Sequence, residues 1–91
     1  MARLKRFEVI YDADSDVLYI SAPGEPADIG TEDRPGIVWR YDMSGRPVGV
    51  TIIDFSHYWY ERRASLVPEI SERLEVPSKQ VETILDHVRD E

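Results

Sequence analysis

The sequence predicts an α+β fold: an antiparallel β-meander of about four strands followed by two or three C-terminal helices. Two observations predict it. Up to Phe55 the apolar residues alternate, with turn formers between the runs. From Ser56 onward the apolar spacing lengthens to four and seven residues. The expected division is a sheet core at 1–56 and a helical segment at 57–91, packed on that core or swapped with it.

Residues 5–11, KRFEVIY, put Phe7, Val9 and Tyr11 on one side of a half-buried strand. Residues 17–22, VLYISA, form a second strand. The DADSD segment between them is short and full of turn formers, so a hairpin follows. Asp12 and Asp16 are read as fixing this turn by accepting backbone N–H groups. Residues 23–36 hold three prolines, three glycines and four acidic residues. They read as a loop with a short edge strand near Ile29 to Glu32.

IVWRY, residues 37–41, is the next strand. Asp42 suits the first turn position and Gly45 can take a positive φ. PVGVTIIDF, residues 47–55, returns as the last strand, where Gly49 leaves room for a neighbouring ring. The sheet's second face, with Leu18, Ile20, Val38 and Ile53, is too apolar to leave wet. Ser56 is the expected N-cap of the first helix, and Pro68 predicts a kink or restart around Ser65 to Pro68. Ile70 and Leu74 face inward on the helix that follows. Val81, Ile84, Leu85 and Val88 face inward on the last helix.

A chain of 91 residues is short. Chains of this size bury only about 60–65% of their unfolded surface, so association with a second copy is expected. The net charge is −7, shared as −4 over residues 1–56 and −3 over 57–91. Such a surface repels phosphate backbones and anionic lipids and favours a basic protein partner. There is no cysteine, which removes disulfides and thiolate chemistry. MARLKRFEV lacks the apolar run of a signal peptide, and no run approaches a membrane span. The cytoplasm is the expected location.

Two blocks carry a family resemblance. YDADSDVLYI supplies Tyr11, Asp12, Asp16, Leu18, Tyr19 and Ile20. IVWRYDMSGRPVGVTIID supplies Tyr41, Asp42, Gly45, Val48 and Gly49. Together they resemble the bacterial family called domain of unknown function 2283, over about residues 7–56. The resemblance implies a small, mainly antiparallel sheet with a following helix, and no activity. Genes of this kind often neighbour genes for small toxin-like proteins, which implies an antitoxin-like role.

As a calcium loop, Asp12, Asp14 and Asp16 fail the frame, because Val17 and Pro23 stand where glycine and glutamate are required. Asp54, Ser56 and His57 hold the residue types of a hydrolase triad. Neighbouring residues point apart, however, and no nucleophile elbow is present. No catalytic residue, metal site or cofactor is expected. An unrecognised enzyme or small-ligand-binding protein stays open as an alternative, with Tyr11, Tyr19, Tyr41 and Asp54 as its pocket.

HYWYERR mixes aromatics and cations, as interfaces do. Tyr58, Tyr60, Arg62 and Arg63 are the interface candidates, with Trp59 in the core. Residues 69–88 resemble a helix-turn-helix, which makes a DNA-binding regulator another alternative. Against it, Glu75 stands at the turn's glycine position, and Glu82, Asp86 and Asp90 form an acidic stripe. The leading expectation is a non-enzymatic interaction module, homodimeric and possessing a basic partner.

Overall fold

The computed structural model describes residues 7–24 and 29–88. Five strands form one antiparallel sheet: β1 (Glu8–Asp12), β2 (Val17–Ser21), β3 (Ile29–Arg34), β4 (Ile37–Tyr41) and β5 (Pro47–Ile53). They are followed by a π turn (Phe55–Trp59), a 3-10 turn (Tyr60–Arg62), and two helices, α1 (Arg63–Leu74) and α2 (Ser78–His87). The fold class is α+β, with one strand more than expected. β3 is the edge strand expected near Ile29 to Glu32, and it runs on to Arg34, next to Pro35, at a sheet edge where a proline does no harm to a ladder. Lys5 and Arg6 of the first expected strand, and Asp90 of the acidic stripe, lie outside the described residues.

The strand order is β1-β2-β5-β4-β3, so the sheet is not a simple meander. The segment after Ser21 carries the chain to the far edge. From there β3, β4 and β5 run back as a meander, and β5 closes against β2. The Pro35–Gly36 connection explains the tight β3–β4 hairpin: proline presets one turn angle and Gly36 takes φ +90°.

The register decides the faces. Leu18 pairs Ile52 and Ile20 pairs Val50, while Ile37 and Trp39 pair Ile52 and Val50 from the other side. These six side chains share one buried face. This separates Leu18 and Ile20 from Val38 and Ile53, which were expected beside them. Period-two alternation is unambiguous within a strand, but the pairing register sets which strands' residues share a face.

The helical segment covers that buried face. Phe55, Trp59, Leu66, Ile70, Leu74, Val76, Val81, Leu85 and Val88 join the strand residues in one core. At the roughly four-residue spacing of α1, Leu66, Ile70 and Leu74 form a single stripe. The helices therefore pack on the sheet of their own chain.

Pro68 lies inside α1 and starts nothing. The irregularity expected there occurs upstream, in the π and 3-10 turns, so α1 begins only at Arg63. Pro68 then removes one helical hydrogen bond near the helix start rather than breaking a long helix. Gly49 also differs from expectation. A Cβ there would lie 2.8 Å from the Ile20 carbonyl oxygen, so it admits the β2 backbone and not a ring.

Candidate interaction surface

Two features lie where the sheet meets the helical segment: a buried carboxylate at the junction and a cleft beside it. The junction is built on Asp16, which sits in the β1–β2 turn with φ 57° and is buried. Aspartate tolerates this left-handed conformation better than most residues. Its Oδ1 accepts the Tyr11 hydroxyl at 2.6 Å and the Ser56 N–H at 2.8 Å. Its Oδ2 accepts the His57 N–H at 3.1 Å and lies 2.7 Å from His57 Nδ1. The Asp16 carbonyl accepts the Phe55 N–H at 3.0 Å.

Asp16 thus satisfies the orphan donors at the start of the helical segment from across the sheet. Ser56, the expected cap, is instead a donor to the Asp16 carboxylate. Asp54 occupies the N-cap position with φ 60°, and its side chain caps nothing. Burial pushes the Asp16 carboxyl up; the bonds from Tyr11, His57 and Ser56 outweigh it and hold the group well below the usual carboxylate range. The other turn residues act locally. Asp12 Oδ1 accepts the Asp14 N–H at 3.1 Å. Asp42 Oδ1 accepts the N–H groups of Ser44 and Arg46 at 2.9 and 3.0 Å, and Gly45 takes φ +86°. These Asp42 bonds lower its pKa, the Ser44 hydroxyl most.

The four interface candidates separate into two pairs. Tyr60 packs edge-on against buried Phe55, at 5.9 Å between centroids. Arg63 stacks on Tyr60 at 3.9 Å and bonds Asp86 at 2.8 Å, joining α1 to α2; the Asp86 bond raises its pKa. This pair is architectural. Tyr58 is 47% exposed and carries Arg62 over its ring at 3.9 Å, so this second pair stands at the surface.

Tyr58 also lines a cleft of about 600 Å³, with Trp59, Ile53, Gly36, Glu32, Arg34 and Asp54. Arg34 bonds Glu69 on α1, which raises the guanidinium pKa, and lies 3.7 Å from Asp33. Sequence reasoning missed Glu32, Arg34 and Glu69 because they are distant in sequence and belong to no motif. Only the fold brings the β3–β4 turn to α1.

The open face of the sheet continues from this cleft. One cross-strand row runs Ile10, Tyr19, Thr51, Val38, Glu32 over all five strands. Ile10 is 59% exposed, while Tyr19 and Ile53 are each 38% exposed. Beside this row lie Ser21, Gly49 and Gly30, which leave the surface shallow, and Arg40, whose Nε bonds Thr51 at 3.3 Å. Tyr11 and Tyr19 fall on opposite faces, so the four-residue pocket imagined for an enzyme does not assemble.

The family comparison adds to this geometry. A family described as protein of unknown function, DUF2283, matches residues 8–56. The chain belongs to this family. The match takes in all five strands and ends at Ser56, one of the residues whose N–H Asp16 holds. No curated protein and no solved structure gives a match. Among the described residues no helix is long and apolar enough to cross a membrane, and no group of three His, Cys, Asp or Glu is placed to hold a metal.

Proposed function

We propose that this DUF2283 protein is a non-enzymatic interaction module of the cytoplasm, antitoxin-like in holding a basic partner, and that it works as a homodimer. The observation that carries the reading is the uncovered sheet face. The helices bury one side of the sheet, and the described residues leave Ile10, Tyr19, Val38 and Ile53 on the other. An exposed apolar patch of this kind on a small domain marks a contact surface. The net charge of −7 supports a basic partner.

The face is suited to a second copy because small residues keep its middle shallow and its charged groups are of both signs, Glu8, Asp12 and Glu32 against Arg40. Sedimentation velocity tests this part. The wild type should sediment as a dimer, and Ile10→Ser with Tyr19→Ser should sediment as a folded monomer. A wild type that stays monomeric across the concentration range would remove the dimer. Co-expression with a basic product of a neighbouring gene tests the partner, with a stable one-to-one complex expected. The DNA-binding alternative gains no support from α2, whose exposed Glu82 and Asp86 would meet phosphates with like charge.

A further inference from the structure

We propose that the cleft between the β3–β4 turn and the π turn receives a single basic side chain, an arginine before a lysine, from a protein partner. This rests on the interaction-module reading and names the contact it would use. Three observations converge on it.

The first is charge. Four carboxylates stand at or beside the cleft, on Glu32, Asp33, Asp54 and Glu69, against two guanidiniums, Arg34 in its lining and Arg62 over the Tyr58 ring. Arg34 is already paired to Glu69 and lies near Asp33. That leaves Glu32 and Asp54 facing the space from β3 and from the end of β5. Glu32 spends one oxygen on the Gly36 N–H, at 3.1 Å, and keeps the other. The Asp54 side chain caps nothing. An anionic ligand would meet this excess of carboxylates and be repelled.

The second is the wall. Tyr58, Trp59 and Ile53 give the cleft an aromatic and aliphatic lining. A basic side chain has an apolar stem and a cationic head, and it needs both kinds of surface. The cleft's own rings already draw guanidinium groups from this chain, Arg62 on Tyr58 at 3.9 Å and Arg34 near Trp59 at 5.7 Å, and Arg63 stacks likewise on Tyr60 at 3.9 Å. A planar guanidinium exploits such rings and a carboxylate fork together, which an ammonium cannot.

The third is space. The volume of about 600 Å³ falls within the range of ligand clefts, about 300–1,000 Å³. Gly36 is required there, because a Cβ would come within 3.0 Å of both the Ile53 carbonyl oxygen and Trp59 Nε1.

The test is a titration of the full ¹⁵N-labelled chain with a short peptide of alternating arginine and glycine. The comparison peptide replaces every arginine with citrulline, which has the same shape and no charge. The Gly36 amide and the Trp59 indole N–H should shift with the arginine peptide and stay still with the citrulline peptide. Glu32→Gln with Asp54→Asn should weaken binding at least about tenfold. Both changes conserve shape, and asparagine tolerates the left-handed Asp54 conformation, so the variant folds. Equal shifts with citrulline overturn the charge argument. Shifts confined to Glu82 and Asp86 on α2 overturn the cleft and leave the interaction module standing. Absence of any shift, together with a monomeric wild type, removes both.

Discussion

The two faces of this sheet obey the same alternation and come to opposite ends. Leu18, Ile20, Ile37, Trp39, Val50 and Ile52 are buried beneath the helices. Ile10, Tyr19 and Ile53, one residue out of phase, stand substantially in solvent. Similar side chains of one sheet therefore serve two purposes. One set drives folding through burial; the other is free to act only when a second surface arrives. Mutations on the two faces should consequently separate stability from association.

The sharpest way to break this comparison is a deep core truncation. Ile52→Ala should cost about 3–4 kcal/mol, because Ile52 is fully buried between β2 and β4. Urea denaturation reads it, and a cost comparable to that of an open-face change would abolish the distinction. Asp16→Ala comes next, at about 2–3 kcal/mol, since it strands the Ser56 and His57 N–H groups.

The same residue makes a pH prediction with a definite sign. Its folded pKa lies below the ordinary 3.8, so its contribution is complete above that value. It is lost as the pH falls through the lowered value. The stability gap between wild type and Asp16→Asn should be constant near neutrality and narrow below pH 3.8. A gap that widens in acid would contradict the pairing with Tyr11 and His57.

Gly49→Ala should cost about 2 kcal/mol, since β2 must shift to admit the methyl group. The smallest effect on stability belongs to the open face. Ile10→Ser with Tyr19→Ser should change the unfolding free energy of the monomer by under about 1 kcal/mol. A loss as large as that of Ile52→Ala would show that the face is already part of a packed interior.

Much of this was legible in the residues. IVWRY spans β4 as expected because its alternation is bounded by Gly36 and Asp42. The family blocks located Asp16 and separated it from Asp14, and Asp16 proved to be the buried one. Its role was not legible. A helix cap is sought beside its helix, and Ser56 filled that place, whereas the acceptor came from a turn forty residues earlier. The same limit hid the β2–β5 pairing, and with it the assignment of faces. The Glu32, Arg34 and Glu69 group had no spacing to betray it. Local rules recover local geometry; partners brought together by topology need the topology first.

That topology has a kinetic corollary. The β1–β2 hairpin and the β3–β4–β5 meander each consist of contacts between sequence neighbours, which close at little entropic expense. The two units meet only along β2 and β5, where Val17 must find Ile53 and Ser21 must find Gly49. This long-range zipper is the expected bottleneck of folding, with the Asp16 contacts to Ser56 and His57 forming as it shuts. In a chevron analysis, truncations along that seam should slow refolding, while truncations of Val81 or Leu85 in α2 should chiefly hasten unfolding. The reverse pattern would mean that the helices gather the strands, rather than settling upon a sheet already joined.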